Sequence, residues 1–237
     1  MFGVSTYCLH EVPLDSALER LSGITRMVEV MDEGNHYLTD PSILENYSFQ
    51  YSVHAPYHGI NIASVFETIR RASVEVTMEC FSMAAELGAD VVVHPGYYAW
   101  KQERNFALQQ FDQSHRELSN AAEELSLTFY FENMGDMDFF LVRTPDELDI
   151  IGDTGLALDV GHANLNNCLK AFLETPFHHM HIHDNEGKRD SHSPVGCGNI
   201  DFHSVLAALF RTHAVPVLEV TTFDGVTASI KALGQLG

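Results

Sequence analysis

The chain has 237 residues, of which 45% are apolar and 19% are charged, and this composition indicates a globular protein and excludes a disordered one. Asp and Glu number 33 against 13 Lys and Arg, so the formal net charge is −20; such a surface repels polyanions and argues against a passive nucleic-acid binder. No apolar stretch reaches the ~18 residues of a membrane span, and the N-terminal segment lacks the pattern of a signal peptide, so we expect no membrane partner.

Short apolar segments rich in β-branched residues alternate with amphipathic segments along the whole chain. The predicted strands are residues 3–7, 26–31, 50–54, 91–94, 127–132, 155–159, 178–183 and 215–220. Eight strands in this length give one strand about every 30 residues, which is the size of a strand–helix repeat.

Two capping boxes predict the starts of helices between these strands. Ser64-Val65-Phe66-Glu67 predicts a helix that ends at Gly88. Thr144-Pro145-Asp146-Glu147 predicts a second helix, with proline at its first position and Gly152 at its end.

Eight strand–helix units without an intervening linker predict a single α/β domain, a (β/α)₈ TIM barrel over residues 1–237. The alternative is an open doubly wound sheet, which would carry a glycine-rich phosphate loop after its first strand. Gly3-Val4-Ser5-Thr6 does not provide such a loop.

The four cysteines are scattered and form no Cys-x-x-Cys motif. They are Cys8, Cys80, Cys168 and Cys197. This spacing is typical of buried free thiols in a reducing compartment, so we expect a cytoplasmic protein.

Residue types that bind metals occur at the ends of six successive predicted strands. In chain order the motifs are His54-Ala55-Pro56-Tyr57, His94-Pro95-Gly96, Glu132-Asn133-Met134, Asp159-Val160-Gly161-His162, His181-Ile182-His183-Asp184 and Leu218-Glu219-Val220, with Asp190 and His192 in the loop after the seventh strand. The carboxyl ends of the strands of such a barrel form the face that carries the chemistry. A single histidine there is usually structural, but nine ligand-type residues on one face predict a metal site.

In their order, these motifs resemble those of the endonuclease IV and xylose isomerase-like TIM-barrel superfamily. This group includes AP endonuclease family 2 and the proteins called sugar phosphate isomerases/epimerases. The resemblance extends over nearly the whole chain. One departure is at residues 159–162, where endonuclease IV usually has Asp-Thr-Cys-His; the chain is also shorter and lacks identifiable arginine-bearing loops that would grip DNA.

The resemblance implies up to three metal ions. The first ion would be bound by His54, His94 and Glu132; the second by Glu132, Asp159, His181 and Glu219; the third by His162, Asp190 and His192. Histidine-rich ligation with nitrogen and oxygen donors favours Zn²⁺, with Mn²⁺ and Fe²⁺ as alternatives.

Two enzymatic functions fit these residues. A phosphoester hydrolase would use all nine ligands to activate water, with Glu132 also orienting the nucleophile. A sugar or sugar-phosphate isomerase/epimerase would need only the second set around one ion, with Glu132 and Glu219 exchanging protons with the substrate. A third interpretation is a metal-binding barrel without catalysis. The expected substrate is a small phosphorylated compound or sugar, and duplex DNA is disfavoured by the charge.

Four further residues are candidate substrate contacts. They are Tyr57, His183, Lys188 and Arg189. Lys188 and Arg189 are the best-placed phosphate contacts, and the alternative for them is a solvated turn. If the metal is removed, the loops around Gly161 and Gly198 are expected to loosen first.

Overall fold

Eight parallel strands close into a barrel in the computed structural model, which describes residues 2–236. The strands are β1 (Gly3–Ser5), β2 (Met27–Met31), β3 (Gln50–His54), β4 (Asp90–Val93), β5 (Phe129–Glu132), β6 (Leu156–Asp159), β7 (His179–Ile182) and β8 (Val215–Leu218). Each strand pairs with the next in the sequence, and β8 pairs with β1. The predicted TIM barrel is therefore confirmed.

Helices connect the strands around the outside of the barrel. The α-helices are α1 (Leu14–Leu21), α2 (Ser42–Glu45), α3 (Glu67–Leu87), α4 (Arg104–Leu125), α5 (Val160–Leu165), α6 (Leu169–Leu173), α7 (Phe202–Thr212) and α8 (Phe223–Leu233). Four 3₁₀ helices cover Thr6–Leu9, Gly34–His36, Lys101–Glu103 and Pro145–Thr154. Among the helices of residues 2–236, none has the length and apolarity needed to span a bilayer.

The first predicted capping box is wrong, although the helix itself is present. α3 begins at Glu67, and the Ser64 hydroxyl accepts a hydrogen bond from the amide of Phe66 at 3.2 Å in the turn before the helix. The Glu67 carboxylate instead accepts a hydrogen bond from the Arg70 guanidinium at 2.8 Å. A stronger partner within the helix has therefore displaced the capping interaction. Gly88 does end the helix, in the left-handed conformation with φ +61°.

The second predicted helix is a 3₁₀ helix. Thr144 makes no capping hydrogen bond through its side chain, and Glu147 accepts one from the amide of Arg143 at 2.7 Å. Gly152 interrupts the segment with a non-helical conformation at φ +54° and ψ −134°. The return from β5 therefore runs through a short, kinked segment.

The strands separate an apolar layer from a polar barrel interior. On β7, Met180 and Ile182 belong to the main hydrophobic core. His179 and His181 alternate with them, and both rings contact the Glu29 carboxylate. The same alternation directs the polar residues at the ends of the other strands toward the barrel axis, which brings side chains from distant parts of the sequence together.

The four cysteines are all unpaired, as expected. Cys8 and Cys80 are buried, whereas Cys168 is partly exposed and Cys197 is exposed. The expectation of buried thiols is therefore wrong for Cys197, which lies in the loop after β7.

Candidate metal centre

The nine residues predicted as metal ligands converge at the carboxyl ends of β3 to β8. Their donor atoms form overlapping groups, and within each group the atoms lie no more than 4.8 Å apart. Three groups correspond to the predicted ligand sets, and a fourth joins His54 to His181 and Glu219. The first group contains His54, His94 and Glu132; the second contains Glu132, Asp159, His181 and Glu219; the third contains His162, His183, Asp190 and His192. His183 is the one member that the predicted ligand sets did not include.

In the first group, one carboxylate oxygen faces two imidazoles. Glu132 Oε2 lies 3.2 Å from His54 Nε2 and 3.1 Å from His94 Nε2. His54 Nδ1 lies 2.9 Å from the carbonyl oxygen of Ala55, to which it donates a hydrogen bond. In the neutral ring Nε2 is then an acceptor that faces another acceptor, an arrangement that requires a proton or a cation. A tetrahedral site with bonds of 2.0–2.1 Å has donors ~3.3 Å apart, which fits these distances.

In the second group, a buried imidazole nitrogen is surrounded by carboxylates. His181 Nδ1 lies 3.3 Å from Glu132 Oε1, 3.5 Å from Glu219 Oε2 and 3.9 Å from Asp159 Oδ2. The ring is fully buried, yet Nδ1 has no partner with hydrogen-bond geometry among the described residues. A buried nitrogen without a hydrogen bond is costly, and a divalent cation among these donors would satisfy it.

The third group joins α5, which directly follows β6, to the loop after β7. His162 Nε2 and His192 Nε2 lie 3.1 Å and 3.2 Å from the same oxygen, Asp190 Oδ2. The Nδ1 atoms of these rings contact the backbone carbonyls of Asn133 at 2.9 Å and Glu219 at 2.8 Å. Each ring thus presents Nε2 to the carboxylate, as a metal ligand would.

The departure from the endonuclease IV motif at Gly161 has a structural reason. A Cβ atom at Gly161 would lie 1.9 Å from Cε1 of His183, so only glycine leaves room for that ring. His183 Nε2 contacts both carboxylate oxygens of Asp159 at 3.1 Å, and its ring stacks on His192 with centroids 3.9 Å apart. His183 was predicted as a substrate contact, but the structure buries it completely among the donor residues.

The carboxylates and imidazoles of the centre shift one another's pKa values. Burial alone would raise the pKa of Glu132, but the neighbouring His181 and His94 outweigh it and hold the pKa well below its ordinary value. Burial disfavours charge on His54, yet the hydrogen bond and charge of Glu132 raise its pKa to about 9. The pKa of His192 is also raised to about 9, against its burial, by Asp190. Burial lowers the pKa of His94.

Glu29, which the sequence analysis did not select, lies directly beneath the second group. Its carboxylate is fully buried inside the barrel, with one oxygen 2.8 Å from His181 Nε2 and the other 2.8 Å from His179 Nε2. The hydroxyl of Ser52 also donates to it at 2.9 Å. The signal in the sequence is a lone acid within the apolar strand 27–31, since such an acid needs buried partners.

Two adjoining cavities lie at the donor groups. A cavity of about 180 Å³ is lined by members of all three groups, including Glu132, and by Tyr7, another residue that the sequence analysis did not select. A larger cavity of about 440 Å³ adjoins it, because both are lined by Tyr57, His94, His162 and Asp190. The ring of Tyr57 lies 4.6 Å from that of His94, between centroids, so the predicted substrate contact Tyr57 stands where the cavities meet.

Lys188 and Arg189 lie outside the two cavities at the donor groups. Both line a separate cavity of about 230 Å³ with Cys197. The Lys188 side chain is 79% exposed, and its Nζ atom lies 3.5 Å from a carboxylate oxygen of Glu186. The structure therefore does not bring these two predicted phosphate contacts to the cavities at the donor groups.

Comparison with known proteins agrees with this architecture. Residues 42–233 match the family model described as xylose isomerase-like TIM barrel. An uncharacterized protein of Methanocaldococcus jannaschii is 32% identical over 228 residues, covering 92% of this chain and 91% of that protein. A probable endonuclease 4 of Mycobacterium leprae is 28% identical over 206 residues, covering 79% of each chain.

Among solved structures, a D-tagatose 3-epimerase-like protein superposes with a TM-score of 0.91 at 29% sequence identity, covering 99% of this chain and 96% of that one. The relatives thus include both a probable endonuclease and an epimerase-like protein. The closed barrel, the polar centre at the carboxyl ends of its strands and the match over residues 42–233 lead to one conclusion: the chain belongs to the xylose isomerase-like TIM-barrel family.

Proposed function

We propose that this protein is a divalent-metal-dependent phosphoester hydrolase with a multinuclear site of the endonuclease IV type. The observation that carries the proposal is the completeness of all three donor groups. An isomerase with one metal ion needs only the second group. It would leave five converging residues without a role in metal binding, namely His54, His94, His162, Asp190 and His192.

Glu132 has the position of a bridging ligand. Its Oε2 atom faces His54 and His94, and its Oε1 atom faces His181, so one carboxylate belongs to both the first and the second group. The histidines keep the carboxylate ionised, which suits it to bind cations and to orient a water molecule. Bound divalent ions, Zn²⁺ by preference for such donors, with Mn²⁺ or Fe²⁺ as alternatives, would supply Lewis acidity and lower the pKa of water.

Hydrolysis replaces the phosphorus–oxygen ester bond with a bond to the oxygen of water. The departing alkoxide oxygen takes up one of the two protons of that water, and the other remains on the phosphate product or is released to solvent according to pH. His162, Asp190 and His192 line the same cavity, and a divalent cation held by them would neutralise charge on the departing oxygen.

The expected substrate is a small phosphorylated compound. The net charge of −20 opposes the approach of duplex DNA, and among the described residues no Lys or Arg lines either of the two adjoining cavities. Proteins that bind duplex DNA use such side chains to neutralise phosphates.

An epimerase acting on a sugar is the second candidate. Its supporting observation is that Glu132 and Glu219 both approach His181 Nδ1, so that two carboxylates flank the position of a single ion. The similarity to the D-tagatose 3-epimerase-like protein favours the same candidate. Two carboxylates at one metal could move a proton between neighbouring carbon atoms of a sugar.

Metal content and the effect of His94→Ala distinguish the two candidates. Protein purified without chelators should contain at least two transition-metal ions per chain by elemental analysis, and it should hydrolyse bis(4-nitrophenyl) phosphate or 4-nitrophenyl phosphate. His94→Ala should lose one ion and reduce kcat/KM at least ~100-fold. Replacing a residue that only supports a metal ligand costs up to ~100-fold, and replacing a ligand itself should cost at least as much. His203→Ala, at an exposed position on α7, is the matched control.

A different set of results would favour the epimerase. One ion per chain, no phosphoesterase activity and epimerisation of a ketohexose would reject the hydrolase and establish the epimerase. In that case His94→Ala should raise KM for the sugar and leave the metal content at one.

A further inference from the structure

Part of the wall of the larger cavity is apolar. Met134, Met137, Tyr97, Phe139 and Phe140 form this part, and the lining also includes Tyr57 and His94. Several of them are unusually accessible for large apolar side chains, with Met137 55%, Tyr97 39% and Phe139 37% exposed. Accessible apolar surface gathered in a concave site is typical of ligand binding.

The wall is built by two loops that are held together by their backbones. The amide of Tyr98 donates to the carbonyl of Phe139 at 2.9 Å, and the amide of Leu141 donates to the carbonyl of Gly96 at 3.2 Å. Tyr97 and Phe140 form an antiparallel bridge between these bonds. The loops after β4 and β5 therefore present their aromatic side chains from a fixed frame, which lowers the entropy cost of binding.

Asn61 attaches this frame to the loop after β3. Its side-chain amide donates to the carbonyl of Tyr97 at 2.8 Å, and its oxygen accepts from the amides of Tyr97 at 3.1 Å and Ala63 at 3.0 Å. A Cβ atom at Gly96, where φ is +88°, would lie 2.5 Å from that oxygen. The side chain of Asn61 thus forms part of the structure that holds the wall in place.

We propose that this apolar part of the cavity binds an aromatic ring of the substrate, so that the substrate class is phosphoesters that carry such a ring. The inference rests on the proposed function. The two cavities share His94, His162 and Asp190 in their linings, so a phosphate at the donor groups and a ring packed against Tyr97, Phe139 and Met137 can belong to one molecule. Aromatic and Met side chains bind flat rings through stacking and sulfur contacts.

Two matched pairs of ligands test the proposal by binding to the metal-loaded protein, measured by calorimetry. Phenylphosphonate is compared with methylphosphonate, and adenosine 5′-monophosphate is compared with ribose 5-phosphate. The member with the ring should bind at least tenfold more tightly in one pair or both. The first pair reports a hydrocarbon ring and the second a nucleobase, so the pair that responds identifies the source of the ring.

Variants locate the preference in the cavity. Phe139→Ala and Met137→Ala should each reduce the ratio of the two affinities severalfold, because both remove accessible side chains from the wall. Phe210→Ala is the matched control, since Phe210 is 70% exposed on α7 and does not line the cavity. A ratio near one in both pairs, or a ratio that both wall variants leave unchanged, would overturn the proposal.

The failure of this inference can be distinguished from failure of the proposed function. Hydrolysis of alkyl phosphoesters without any preference for an aromatic ring would reject the inference and leave the hydrolase intact. Preferential binding of the ring-bearing ligands without hydrolysis of any phosphoester would support the cavity assignment and reject the hydrolase.

Discussion

Four histidines of the centre are oriented by a second contact that decides which ring nitrogen faces the donor group. His54, His162 and His192 direct Nδ1 to backbone carbonyls and present Nε2. His181 is reversed, because its Nε2 contacts Glu29 and its Nδ1 faces the carboxylates. Outer contacts of this kind fix the tautomer and raise the basicity of a metal-binding imidazole. Glu29 is therefore a positioning residue for the second group.

Replacing Glu29 should weaken metal binding without changing the donor atoms. Glu29→Gln keeps the shape of the side chain but offers one oxygen to two imidazoles, and it removes the charge. We expect the affinity for Zn²⁺ to fall ~10–100-fold, measured by competition with a chromophoric chelator. Asp32→Asn is the control, since Asp32 is another buried acid of this region, and it accepts a hydrogen bond from the amide of Leu38. Equal Zn²⁺ affinities for Glu29→Gln and the unmodified protein would show that Glu29 does not position His181.

At the scale of elements, the loop after β7 is organised by one buried carboxylate. Asp184 accepts hydrogen bonds from the amides of Gly196 at 2.9 Å and Gly198 at 2.8 Å through one oxygen. Its other oxygen accepts from the amides of Asn185 at 2.9 Å and Ile200 at 3.3 Å. The loop was expected to loosen first around Gly198 because little ties it down, but this reasoning was wrong, because four amides bind one carboxylate.

Substitution of Asp184 should therefore open the loop and release the third donor group. In Asp184→Asn the amide nitrogen must face two N–H donors, so at least one pair of hydrogen bonds is lost, at a cost of ~1–3 kcal/mol in unfolding free energy. We expect faster hydrogen exchange in residues 185–200 and one metal ion fewer per chain.

Asp201→Asn is the control for this change, because Asp201 caps α7 at an exposed position and asparagine caps helices equally well. Unchanged exchange and full metal content in Asp184→Asn would show that the loop is held by other contacts.

The strands could be predicted because their apolar pattern is local, and all eight predicted strands end within two residues of the observed ends. β8 begins at the predicted residue and ends at Leu218, two residues before the predicted end. The helix starts were harder to predict, because Ser64 and Glu67 each have a competing partner that the capping pattern does not reveal. Local patterns therefore locate elements better than they assign their terminal hydrogen bonds.

At the scale of the whole molecule, the convergence of the nine ligand-type residues followed from fold topology. Parallel strands of a barrel end at one face, so motifs 30 residues apart in sequence become neighbours in space. The apolar cavity could not be predicted in this way, because the pairing of residues 96–98 with 139–141 depends on the conformations of two loops. The same holds for Lys188, which the sequence places near Asp190 but which the loop directs into another cavity.

The metal-free molecule should lose stability as the pH rises above neutrality. His54 and His192 have pKa values raised to about 9 by carboxylate partners. A raised pKa stabilises the folded state fully below the unfolded value of ~6.5, and the contribution is lost as the pH rises through about 9. The lowered pKa values of Glu132, Asp159 and Asp190 act in the opposite sense, because their contribution is present above ~4 and is lost only in acid.

Metal binding should reverse this pH dependence of stability, because a metal ion replaces the protons on the imidazoles. Protons compete with the metal up to about pH 9 at His54 and His192, well above the ~6 expected from an unperturbed histidine. The increase in Tm that Zn²⁺ produces should therefore be small at pH 6 and should grow steadily to pH 9. Thermal unfolding with and without chelator at each pH measures this increase, and calorimetry in buffers of different ionisation enthalpy counts the protons released. An increase in Tm that is constant between pH 6 and 9, with no proton release at pH 7.5, would mean that these histidines do not bind the metal.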